Sequence, residues 1–264
     1  MASDAARDDG DVVLLQVQDG IAHITLNRPQ QRNALSVAAA NRLHALWEQV
    51  DLDDAVQVVV LDAADCGTFC AGLDLREAAQ LKAERGVDIL SLMRDPFHQR
   101  MRQVCKPIVA AMTGSLMAGG MMLALNADLR VGLAGTQVGI TEAKVGRGSP
   151  WAVPLLWMLP QPLVMEMVLT GDLYPVERFV QLGFVNHLEA DTAAVRARAQ
   201  SLAERISRVV ASVPGSADVG VEIAEGSGQV RMEVRREALA RYGLFVADVR
   251  DAIELAMGSQ TAAE

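Results

Sequence analysis

The sequence predicts a strand-rich α/β protein assembled from repeated strand, turn and helix units, and three features point there. Short β-branched apolar runs such as "VQVVVLDAA" and "KPIVAAM" read as buried strands. Small-residue turns follow them and lead into segments with helical spacing. From Pro150 onward the texture becomes almost wholly helical. At 264 residues, with 51% hydrophobic and 22% charged side chains, the chain is long enough for one large core plus a helical appendage.

The first element is a β-hairpin, "VVLLQVQDGIAHITLNRP", whose Asp19-Gly20 pair tolerates the positive φ that a tight turn requires. Ser36 then caps a helix in which Val37, Ala40, Leu43, Trp47 and Val50 recur every three or four residues. A buried strand spans Val56 to Ala64. It leads through "DCGTFCAGL" to a helix that starts near Asp74, with Asp74 and Glu77 at capping-box spacing. "KPIVAAM" repeats the plan, and "DLRVGLAGTQVGIT" is a third strand-like pair before Glu142. Helices follow over "PLVMEMVLTG", "YPVERFVQLG", Asp191 to Val210 and Val230 to Met257, with "SVPGSADVG" as the best loop between the last two.

A net charge of -9 with no long basic run argues against a nucleic-acid partner, and a polyanionic ligand would need a local basic site. The opening "MASDAARDDGD" has no apolar stretch of the kind a signal peptide requires. No segment reaches the roughly 18 uncharged apolar residues of a membrane span, so a cytoplasmic protein without membrane association is expected. Cys66, Cys70 and Cys105 lack metal-ligand spacing and the four histidines are scattered, so no metal site is expected. These cysteines read as small buried residues, with Cys70 kept in view because of its neighbours.

Two strand-to-helix turns, "FCAGLDL" and "SLMAGGMML", offer unpaired backbone N–H groups at helix starts. Brought together, two such donors aimed at one carbonyl oxygen make an oxyanion hole. Each turn alone is equally what a tight connection needs, and spacing does not show that the two meet.

"ITLNRPQQRNALS", "FCAGLDLR", "AAMTGSLMAGGMMLALNADLRV", "VGITEAKVGRG" and "LTGDLYPVERFVQLGFVNHL" resemble, in order, successive signatures of the crotonase family, the enoyl-CoA hydratase/isomerase family. The resemblance reaches from the first hairpin to His187. It implies a crotonase-like spiral of ββα units, with a flexible N-terminus over 1–10, a core domain over 11–205 and a helical trimerisation region over 206–264. That last region carries Leu239, Leu244, Phe245 and Val249, and a homotrimer or hexamer follows from the resemblance. It further implies an acyl-CoA substrate and no separate cofactor, coenzyme A being part of the substrate. The N–H groups of Leu73 and Gly119 fall at the oxyanion positions. Arg76 matches a position that helps bind the CoA phosphates, while Arg28 and Arg32 lie in the motif beside the adenine and pyrophosphate. Ala34, Ala71, Gly72, Asp74, Leu75, Gly120 and Met122 complete the expected CoA and substrate contacts. Trp151 reads equally as a wall of the acyl pocket or as core.

Hydratases of this family hold a catalytic water between two glutamates. The same alignment places Met122 at the first position and Glu142 at the second, so one carboxylate is missing. Hydration shares its proton movements between two carboxylates, whereas shifting a double bond from C3 to C2 needs one proton taken from C2 and returned at C4. The expectation is therefore an isomerase-like reaction with Glu142 as the sole acid-base residue. The alternatives are hydration, another reaction of the family (thioester hydrolysis, C–C cleavage or decarboxylation) drawing a base from "LKAERGVDILSLMRD", and a non-catalytic acyl-CoA-binding subunit. The familiar "AFxEKR" ending, whose lysine meets CoA, is replaced here by "AIELAMGSQTAAE".

Overall fold

The computed structural model describes residues 12–212. The expected flexible segment 1–10 and the apolar positions Leu239, Leu244, Phe245 and Val249 lie outside the described residues.

Strands β1 (Val13–Gln18) and β2 (Ile21–Leu26) form the antiparallel hairpin. Its turn has positive φ at both Asp19 (51°) and Gly20 (78°), the geometry that Asp-Gly suits. Helix α1 (Val37–Leu52) begins where the Ser36 side chain accepts the Ala39 N–H, and it buries Leu43, Trp47 and Val50.

Three units of like plan follow. Strand β3 (Val58–Ala63) is followed by β4 (Thr68–Cys70) and α2 (Leu75–Arg85), then, after the short α3 (Gln99–Gln103), β5 (Ile108–Met112) by β6 (Ser115–Met117) and α4 (Gly119–Asn126). The third pairs β7 (Leu129–Leu133) with β8 (Gln137–Gly139) and a 3-10 turn at Glu142–Val145. The first strand of each unit joins one sheet and the second strand joins another. Beyond them lie a 3-10 run at Pro150–Trp157, α5 (Gln161–Thr170), β9 (Leu173–Pro175), α6 (Val176–Gln181), β10 (His187–Glu189) and α7 (Thr192–Ser212). The larger sheet has the order β1-β2-β3-β5-β7-β10, parallel from β2 onward, and the smaller has the order β4-β6-β8-β9.

Strands β3 and β5 are apolar nearly throughout because both faces of the larger sheet are covered. Val59, Leu61, Ile108 and Ala110 face the main core, while Val58, Val60, Val109 and Ala111 face the other way in a second cluster with Val195, Ala199 and Ala203 of α7. The small α7 residues let that helix lie close to the sheet. α7 runs unbroken past Arg205, and Ile206 still packs against this cluster.

Two local expectations change. "DLRVGLAGTQVGIT" does form two strands, but β7 and β8 belong to different sheets. The capping box at α2 is only half present. Asp74 accepts the N–H groups of Arg76 and Glu77, but Glu77 turns away to accept the Val37 N–H at the start of α1. The competing donor of α1 takes the carboxylate, so one acid joins two helix starts.

Candidate active site

The parallel strands β4, β6 and β8 lie side by side, and the chain leaves their C-terminal ends through Leu73, Gly119 and Glu142 in turn. Ligands favour the carboxyl ends of parallel strands for this reason: several turns converge there. All three residues line one cavity of about 470 Å³.

The two glycine turns do meet. Gly72 has φ +86°, and a Cβ there would stand 2.8 Å from Ala118 Cβ and 3.1 Å from the Gly119 nitrogen. Residues 32–35 bind along the first turn: Arg32 and Leu35 accept the N–H groups of Ala71 and Asp74, and the Gly72 carbonyl accepts from Leu35. In that parallel bridge Leu73 uses neither its own N–H nor its own carbonyl, so both face the opposite side. In the second turn Ala118 adopts φ 49°, ψ -112°, a strained backbone for a residue with a Cβ. The Gly119 N–H follows at the first position of α4, where a helix has no internal acceptor to offer. Among the described residues neither the Leu73 nor the Gly119 N–H has an acceptor. A side chain at Gly120 would overlap the Cys70 carbonyl, so this glycine sets how closely α4 packs on β4.

Arg130 fixes the far end of α4. Its buried guanidinium donates to the carbonyls of Ala124, Ala127, Asp128 and Phe184 and lies 4.6 Å from the centre of the Phe184 ring. Neither this brace nor the carbonyls it collects announced itself in the sequence.

Glu142 opens a 3-10 turn. Its Oε1 accepts the Trp151 indole N–H at 2.9 Å, while Oε2 is buried without a partner. Burial raises its pKa above the ordinary carboxylate value, and hydrogen bonding from its own backbone, then from the Trp151 indole and the Thr141 backbone, offsets part of the rise. Met122 lines the same cavity, as do Ala71, Leu75 and Trp151. Trp151 is thus both a wall and a hydrogen-bond donor, buried at 8% exposure.

Arg32, Ala34, Gly72, Asp74, Arg76 and Gly120 do not line the cavity. Arg32 and Arg76 are exposed and form no ion pair with the described residues, and the Arg32 carbonyl is bonded to Ala71 of the cavity wall. Arg28 is half-buried and structural: it donates to the Ala34 carbonyl and pairs with Asp74 at 2.9 Å. Leu90, Met93, Phe97, Val145 and Arg147 add to the lining; four of them lie in stretches quoted from the sequence, but none was expected as a site residue.

None of the three carboxylates of "LKAERGVDILSLMRD" lines the cavity. Glu84 accepts from the Gln80 side-chain amide, Asp88 pairs with Arg147, and Asp95 accepts the N–H groups of Phe97, His98, Gln99 and Arg100. Burial pushes Asp95 upward, but these four bonds outweigh it and hold its pKa below the usual value. Cys70 is fully buried, and burial pushes its thiol up to about 12, so it has no thiolate to offer.

A family model described as enoyl-CoA hydratase/isomerase matches residues 16–235. The chain belongs to this family. Among relatives, the (E)-benzylidenesuccinyl-CoA hydratase of Thauera aromatica is 32% identical over 206 residues, covering 74% of this chain and 76% of its own. The enoyl-CoA hydratase EchA19 of Mycobacterium tuberculosis is 33% identical over 190 residues, 70% of each chain. The crystal structure of an enoyl-CoA hydratase from Mycobacterium tuberculosis H37Rv superposes with a TM-score of 0.63 at 35% identity, covering 75% of this chain and 76% of that one. A carnitinyl-CoA dehydratase from Mycobacterium avium 104 gives 0.67 at 27% identity, covering 83% and 84%. This is a crotonase-family enzyme of acyl-CoA chemistry, with the mixed α/β fold of its neighbours.

Proposed function

We propose that the enzyme shifts the double bond of a 3-enoyl-CoA to the 2-position, with Glu142 as its single acid-base group. The observation that carries this reading is that Glu142 supplies the one carboxylate among the described residues lining the cavity, with Met122 and other apolar side chains around it. The thioester oxygen sits between the N–H groups of Leu73 and Gly119. Glu142 takes a proton from C2, the electron pair spreads onto that oxygen, and the same carboxyl returns a proton at C4. A base with a raised pKa suits both halves of the shuttle. Arg32 and Arg76, exposed and without carboxylate partners among the described residues, are the groups assigned to the CoA phosphates.

Hydration is the second reading, favoured by the relatives described above, most of which are named hydratases. One assay separates the two: consumption of 3-hexenoyl-CoA and of crotonyl-CoA by the wild type, Glu142→Gln and Met122→Glu. The isomerase reading expects fast 3-hexenoyl-CoA turnover, slow crotonyl-CoA hydration, and a loss of about 10²- to 10⁴-fold for Glu142→Gln. Met122→Glu, by adding a second carboxylate to hold water, raises crotonyl-CoA hydration. Rapid wild-type hydration that survives Glu142→Gln overturns the reading.

A further inference from the structure

The proton shuttle above uses the carboxyl of Glu142 and leaves Trp151 without a task. The three tryptophans differ sharply. Trp47 is core and donates to the Pro96 carbonyl, Trp157 is 81% exposed, and Trp151 is buried with its only donor aimed at Glu142. An indole can donate but never accept, so an oxygen that receives its N–H has one of its two lone pairs occupied in either protonation state. Oε1 is in this position. Oε2, buried and without a partner, is the oxygen better placed to gain and lose a proton. The ring is itself held in place, because Trp151 and its neighbours Ala152 and Leu155 in the 3-10 run are buried in the main core.

We propose that Trp151 is a positioning residue whose indole N–H, bonded to Oε1 of Glu142, fixes the carboxylate so that Oε2 carries the proton. In the reaction, C2–H breaks as Oε2–H forms and the electron pair moves to the thioester oxygen. Oε2–H then breaks as C4–H forms and the pair returns, with no net oxidation or reduction. The C4 step rests on the isomerase reading, whereas the choice of oxygen does not.

Two measurements test this. With ¹⁵N-labelled tryptophan, the wild type gives three indole N–H signals, and the one absent from Trp151→Phe is that of Trp151. It should move with pH in a single step, and in Glu142→Gln, which keeps an acceptor but cannot ionise, it should be flat. Activity should show the same link. Trp151→Phe keeps an aromatic wall and removes the donor to the ionised form, so Glu142 holds its proton to higher pH. The expected result is about a tenfold loss of kcat/KM on the acid side that recovers towards alkaline pH, with KM changed by less than about twofold. If none of the three indole signals moves with pH, the proposal is overturned whether or not Trp151→Phe folds, and so it is by a Trp151→Phe profile that superimposes on the wild type. If the indole titrates and the profile shifts while the reaction followed is hydration, Trp151 keeps its role and the isomerase reading fails. If the enzyme isomerises but the indole signal is flat, the reverse holds.

Discussion

The two walls of the cavity are built by different means. On one side, the turns after β4 and β6 present backbone, and the surroundings immobilise that backbone. Arg28 holds Asp74, Asp74 caps α2, Arg130 collects the carbonyls at the end of α4, and Gly72 stands where any Cβ would strike Ala118. On the other side, the turn after β8 presents a side chain. Residues 143–146 are exposed, their hydrogen bonds run to residues three to five positions away, and the ion pair tying the segment to the opposite lip is that of Arg147 with Asp88. The backbone donors proposed to stabilise charge are secured by steric exclusion. Glu142, the proposed proton carrier, is placed by a side-chain partner, the Trp151 indole, instead.

Three substitutions probe this contrast. Gly72→Ala attacks the rigid wall and has the largest effect. The methyl group forces the two turns apart, so kcat/KM is expected to fall by about 10²- to 10³-fold, the cost of losing one donor of the proposed oxyanion hole. The left-handed backbone adds about 1–2 kcal/mol of destabilisation, read from urea unfolding. A variant with wild-type turnover would break the comparison outright. Arg130→Met comes next. It leaves buried carbonyls at the end of α4 without donors and lowers unfolding free energy by about 3 kcal/mol. Asp88→Asn is the smallest. It removes an exposed ion pair from the tunable wall, so the thermal midpoint stays within error and kcat/KM within about twofold. A larger loss would mean that the second wall is braced as firmly as the first.

The same contrast governs what the sequence made legible. Asp19-Gly20, Ser36 and the run of α1 are written in local chemistry, and the structure follows them. The glycine turns were visible because glycine is placed by sterics, although their meeting was not. The smaller sheet escaped notice because its strands are three residues long, too short for a period-two pattern to register. The other half of the site was less readable. Glu142 and Trp151 appeared in the sequence as separate residues nine positions apart. Their hydrogen bond depends on how two 3-10 turns pack, and spacing does not encode that. Arg28 pointed towards a phosphate by its motif, yet a carboxylate 46 residues away claims it.

The spiral that sets Leu73, Gly119 and Glu142 side by side also makes the larger sheet depend on contacts between distant parts of the chain. Val59 pairs with Ile108, and Val131 with His187, so each such rung closes a long intervening loop. Among the described strands, only those of the opening hairpin, with Gln18 against Ile21, pair near neighbours in sequence. Pairing of this kind slows folding relative to a fold built from local contacts. The cavity is complete only with all three units in place, because each contributes one of Leu73, Gly119 and Glu142 to its wall.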